Sequence, residues 1–417
     1  MQYHRAVRLL AIVPALALAA CSRSGDVAPA RERPALPAFE ASLACSGASG
    51  AGFTTLQVGF AGGDATAAKP GFDVRAQYVA GVLAPDPECL AATRADAVGC
   101  GAQWWGTWQS EADPPGAFVR GFVADAAASG LVPMITYYLI LPASGVAEGT
   151  AEATQAARDA AFMARYLADY RFLLRQIGSA PAIVHVEPDF WGYAQRAASN
   201  GSPSTLPAAV ASANPTDCGS LANTIEGLGR CFVQMTRTYA PNAKIALHGS
   251  QWASDADCVT NRDPGLDVAA EARKTADSLA ACAPGADLVV VDMADRDAGY
   301  TASLGRSTWL DATDATLPSF AQAFRWSRAL ADRVAMPIFW WQLPVGNTGL
   351  ANAPGGWWDD RVEYFFAHPA RVAASGAVGM AFGSGASGQT TPESDGGYLW
   401  ACAAALALAG GQPLCVP

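Results

Sequence analysis

A closed (β/α)8 barrel is the fold class this sequence predicts, and three observations carry the prediction. Eight short apolar runs recur from Thr54 onward, most of them followed by Ala-rich stretches with apolar residues at helical spacing. The runs are continuously apolar, as parallel strands buried on both faces require. Polar and aromatic residues gather at the ends of the runs and in the loops beyond, the face on which such barrels build their sites. The alternative, an open doubly wound sheet, calls for a glycine-rich phosphate turn after the first strand. Gly59-Phe60-Ala61-Gly62-Gly63-Asp64 fits that fingerprint poorly.

The strands are expected near Leu56–Phe60, Phe72–Val79, Val132–Ile140, Ile183–Glu187, Lys244–His248, Leu288–Asp292, Pro337–Gln342 and Val378–Phe382. Helices are expected near Ala117–Ala128, Ala151–Ile177, Ser220–Tyr239, Asp267–Ala281, Leu317–Val334, Asp360–Ala374 and Tyr398–Ala409. Phe162, Tyr166, Leu167, Tyr170, Leu173, Leu174 and Ile177 follow the helical period closely. Ser319 and Asp360 stand where N-caps belong. Long loops, 194–217 and 251–266, follow the fourth and fifth strands on the site face.

The chain has three parts: residues 1–21 as an export signal, 22–50 as a flexible tether and 51–417 as the single barrel domain. Arg5 and Arg8 precede an apolar stretch that ends Leu18-Ala19-Ala20-Cys21, the pattern of a bacterial lipobox with Cys21 as the acylated residue. Lipid on Cys21 is then the only expected link to a membrane, at the cell envelope. The tether is rich in Ala, Pro, Ser, Gly and Arg. At 51% hydrophobic and 15% charged residues the remainder can pack a large core. A formal charge of −10 disfavours nucleic acid and anionic lipid as partners. Ten cysteines without Cys-x-x-Cys or His-rich spacing suit disulfides rather than a metal, and no cofactor is implied. Spacing favours Cys89–Cys100 and Cys402–Cys415, then Cys218–Cys231 and Cys258–Cys282, leaving Cys45 as the odd thiol.

Most of the twelve tryptophans fall at strand ends or in the loops after them. Trp104, Trp105, Tyr137, Trp191, Tyr193, Trp340 and Trp341 are candidate sugar platforms, because flat rings stack on the C–H faces of sugars. His248 and Gln342 are candidates to bind hydroxyls. Arg75, Gln77 and Tyr78 close the ring of polar groups from the second strand. Glycoside cleavage needs two carboxyl groups. Glu187, ending Ala182-Ile183-Val184-His185-Val186 beside Phe190 and Trp191, is the expected proton donor, with an apolar surround to raise its pKa. Its partner is Asp292 or Asp189, with Asp295 as a third choice. His185, one pleat below, either orients Glu187 or is an interior histidine. Gly383-Ser384-Gly385 lacks the nucleophile-elbow pattern, which disfavours an esterase.

On these residues the chain resembles bacterial secreted (β/α)8 glycoside hydrolases over roughly Thr54 to Gly410. Chitinases and one group of bacterial muramidases carry Asp-x-Glu on strand four, and His185-Val186-Glu187 is similar to that pattern, with His185 in place of the Asp. The resemblance implies Glu187 as the acid. The cellulase-like clan carries a Glu nucleophile on strand seven, and Trp340-Trp341-Gln342 departs from it. A carbohydrate substrate is implied. The rival is a lipoprotein of the same fold that binds carbohydrate without cleaving it.

Overall fold

The computed structural model describes residues 51–81, 83, 108, 114–147, 149, 151–198, 202–385 and 388–414. Eight parallel strands close into a barrel in chain order: β1 Gln57–Phe60, β2 Val74–Ala80, β3 Val132–Tyr138, β4 Ala182–Val186, β5 Ala243–His248, β6 Leu288–Val291, β7 Ile338–Leu343 and β8 Ala377–Phe382. Each strand lies within two residues of its expected start. Around them run α1 Ala117–Ala128, α2 Ala160–Ile177, α3 Phe190–Ala197, α4 Ile225–Tyr239, α5 Val268–Cys282, α6 Phe320–Val334, α7 Arg361–Ala367, α8 Pro369–Ala374 and α9 Tyr398–Leu408, with shorter turns between. Among the described residues no helix is long and apolar enough to cross a membrane.

Two helix boundaries differ from expectation for identifiable reasons. Asp159, not the region of Ala151, starts α2, because its carboxylate caps the amides of Ala161 and Phe162. The expected helix Asp360–Ala374 breaks at His368, since Pro369 lacks an N–H and disfavours helical geometry in the residue before it. Ser319 does cap α6, through the Gln322 amide, whereas Asp360 makes no side-chain cap.

β7 carries a bulge that decides the site. Trp340 pairs with Met380 and Leu343 with Phe382, so Trp341 and Gln342 together face one residue of β8. Gln342 takes a left-handed φ of 55° there. Trp340 consequently packs outward against Phe324 of α6 and Phe365 of α7, while Trp341 turns into the barrel against Tyr78, His185 and His248.

Cys218 and Cys231 are bridged, tying the turn before α4 to that helix. Cys258–Cys282 is not formed, and both thiols are free and buried. Cys402 is disulfide-bonded. Cys415, Cys89, Cys100, Cys45 and Cys21 lie outside the described residues, as do the signal and the tether.

Candidate active site at the carboxyl ends of the strands

A cavity of about 640 Å³ opens at the carboxyl ends of β1, β2, β7 and β8. Its wall is built by Arg75, Gln77, Tyr78, Trp341, Gln342 and Glu393, with Thr136 of β3 at the inner side. The Tyr78 hydroxyl donates to Gln342 Oε1 at 2.9 Å, and the Tyr78 and Trp341 rings lie 5.3 Å apart. Arg75 is held by Asp64 at 2.7 Å and donates to the Gly62 carbonyl at 3.2 Å. Glu393 accepts from the Gly63 amide at 2.7 Å. Gln389 also lines the cavity, and its buried Nε2 has no partner among the described residues. The cavity therefore joins an apolar ring surface to several fixed donors and acceptors, as a sugar site requires.

A second set of groups stands beyond Trp341, whose ring meets that of His248 at 5.9 Å between centroids; like Glu187, neither Asp292 nor Asp295 itself lines the cavity. Asp292 follows β6 directly, and its Oδ1 lies 3.3 Å from His248 Nε2. Ser250 Oγ and Gln251 Nε2, after β5, are buried without hydrogen-bond partners among the described residues. The Asp295 side chain is 55% exposed and pairs with Arg296 at 3.3 Å; partial burial still raises its carboxyl above its ordinary value, Arg296 opposes the shift, and the charge of Asp292 adds to it. Gly385 sits between Asp295 and the cavity. A Cβ at that position would collide with the Asp295 carbonyl and the Gln342 amide, so only glycine lets the two approach.

Glu187 is elsewhere, which corrects the expected geometry. Continued strand alternation would have aimed it inward with His185. Its φ of 49°, followed by 68° at Asp189, turns the carboxylate into the wall between barrel and helices. There it is fully buried and accepts from the Leu139 amide at 2.9 Å, the Ile140 amide at 3.1 Å and the Tyr166 hydroxyl at 2.7 Å. Burial pushes its pKa up to about 7 against the opposing pull of these three donors. It does not line the cavity. His185 does not orient it and bonds Thr136 and His248 instead.

Three expected platforms are wall residues, and the expectation is corrected for each. Tyr137 is fully buried, with its hydroxyl donating to Asp169 of α2 at 2.8 Å. Trp191 packs on Phe232 of α4 and donates to the Val186 carbonyl at 2.9 Å. Trp340 faces the helices as described. Tyr193 is half-buried against Trp252, its hydroxyl accepting from the Gly149 amide at 2.9 Å. Asp189 stands ahead of α3, outside the cavity lining. Trp104 and Trp105 lie outside the described residues. Thr136, Ser250 and Gln389 were not anticipated. Thr136 was accessible by parity, since it shares the inward face of β3 with Met134 and pairs with His185.

The fold and site describe a (β/α)8 barrel with a polar-aromatic groove at the carboxyl face. The sequence matches no family model and no curated protein. Among solved structures it is similar to a modular endo-beta-1,4-mannanase from Cellulomonas fimi, at 15% identity over 88% of this chain and 74% of that one, with a TM-score of 0.45. It is also similar to a beta-1,4-D-mannanase from Cryptopygus antarcticus, at 10% identity over 87% and 93% of the chains and a TM-score of 0.45. A glycoside hydrolase family 5 enzyme from Prevotella bryantii aligns at 10% identity over 84% and 96%, with a TM-score of 0.46. Likeness at this level says nothing of the reaction.

Proposed function

We propose that the chain is a glycoside hydrolase acting on a poly- or oligosaccharide. The observation that carries the reading is the adjoining of two features: a cavity with the Trp341 and Tyr78 rings and fixed polar groups, and the neighbouring carboxylates Asp292 and Asp295. Asp292, backed by His248, serves as the charged carboxylate that acts as base or nucleophile. Asp295, its pKa raised by partial burial and further by Asp292, serves as proton donor. Trp341 and Tyr78 stack the sugar, and Gln77, Gln342 and Arg75 hold its hydroxyls.

A second reading keeps Glu187 as the donor, favoured by its pKa of about 7 at the end of β4. It requires the carboxylate to leave three buried hydrogen bonds. The two readings separate in kinetics. Asp295→Asn should lower turnover of a natural polysaccharide by roughly 10²–10⁴-fold. A substrate with an activated leaving group should be less affected, while Glu187→Gln should leave both within a few-fold. The reverse pattern assigns the donor to Glu187. A binding protein without catalysis would turn over neither substrate.

The lipobox ending at Cys21 supports placement at the bacterial cell envelope through lipid. Cys21→Ser should release the protein from membranes, and a variant that stays membrane-bound like the parent contradicts that placement.

A further inference from the structure

The barrel interior holds a line of polar groups that the cavity lining alone does not explain. Thr136 on β3, His185 on β4, His248 on β5 and Asp292 just past β6 stand on consecutive strands. Thr136 Oγ1 lies 3.2 Å from His185 Nδ1, His185 Nε2 lies 3.2 Å from His248 Nδ1, and His248 Nε2 lies 3.3 Å from Asp292 Oδ1. The two rings stack at 5.3 Å between centroids, and Trp341 meets both edge-on. His185 is fully buried and His248 is 2% exposed. His248 Nε2 and Asp292 Oδ1 fall short of an aligned hydrogen bond, and neither has another hydrogen-bond partner among the described residues.

A neutral imidazole donates from one nitrogen and accepts at the other, so the line admits two proton orders. In one, His248 donates from Nδ1 to His185, which donates from Nδ1 to Thr136. That order sets the bare Nε2 of His248 against a carboxylate oxygen at 3.3 Å, two lone pairs face to face out of water. The other order runs the opposite way and leaves no such clash.

We propose that Thr136, His185 and His248 position Asp292: the Thr136 hydroxyl donates to His185 Nδ1, His185 Nε2–H to His248 Nδ1, and His248 Nε2–H to the ionised carboxylate. The inference rests on Asp292 being the charged carboxylate of the proposed hydrolase. Thr136 and His185 touch no reacting atom and act through His248. Burial, and then the neighbouring His248, holds His185 well below its ordinary pKa, which keeps that ring neutral as the order requires. A closing turn of substrate or Asp292 would complete the hydrogen bond that the 3.3 Å contact leaves unaligned.

Ring 15N shifts of the full-length protein at neutral pH read the tautomers directly, whatever its activity. Nε2–H on both rings is expected, and Nδ1–H on His248 overturns the proposal. Thr136→Val should shift the His185 Nδ1 resonance, and an unchanged spectrum counts against the relay. In kinetics, His185→Gln can still donate to His248 and should keep kcat within about tenfold, whereas His185→Leu should lower kcat by roughly 10²-fold with KM little changed. Equal kcat for the two folded variants overturns the positioning role. If His185→Leu fails to fold, the Thr136→Val spectrum decides. The expected tautomers in a protein that cleaves no polysaccharide would uphold the relay and sink the hydrolase reading.

Discussion

At the scale of single residues, Glu187 shows how far a side chain can depart from its position in the sequence. The apolar run before it and the rings after it were legible, and so was a raised pKa. The turn that aims it was not, because φ values of 49° at Glu187 and 68° at Asp189 lie where non-glycine residues seldom go. The structure makes this carboxylate the acceptor for two amides after β3 and for Tyr166. Glu187→Gln retains an acceptor oxygen and should change stability little. Glu187→Ala leaves three buried donors unpaired, each costing about 1–3 kcal/mol. Thermal melts of the two variants check this, and equal melting temperatures would contradict the bracing role. Gln342 is strained in the same way, and unlike Glu187 it lines the groove.

At the scale of elements, apolar runs located all eight strands, because a parallel barrel buries both faces and leaves little room for other patterns. The β7 bulge was hidden, since nothing in Trp340-Trp341-Gln342 marks where an extra residue enters the ladder. That bulge predicts opposite behaviour for neighbouring tryptophans. Trp340→Ala removes a ring packed between α6 and α7 and should destabilise by about 3–5 kcal/mol, with turnover per folded molecule preserved. Trp341→Ala should raise KM for the sugar through loss of its platform. Denaturant unfolding and steady-state kinetics on both variants test the contrast, which fails if the Trp341 variant binds substrate as well as the parent. The loop cysteines show the converse limit. Spacing alone proposed Cys258–Cys282, and both thiols are free and buried.

At the scale of the whole molecule, buried acids set the response to pH. Glu187 and Glu363 are pushed up to about 7, and Asp297 to about 6, in each case by burial first. Asp360 is raised as well, by burial and by Asp359. A folded-state pKa above the unfolded value means that the native chain binds more protons between the two, so stability falls as pH rises through that window. His185 and His368 act oppositely, losing stability as pH drops below their unfolded value near 6.5, but they are two groups against four. The melting temperature should therefore be higher near pH 5.5 than at pH 8, and a rise toward pH 8 would contradict the assignment of these acids. The barrel and the region of its site were legible from pattern and composition. How each carboxylate is aimed was not, because that depends on turns and bulges at strand ends. The most direct test of the account is release of reducing ends from a panel of envelope and plant polysaccharides by the purified parent and by Asp292→Asn. The account predicts release by the parent, and a loss of roughly 10²-fold or more in a variant that still folds. No release from any polymer, or equal release by both proteins, would contradict it.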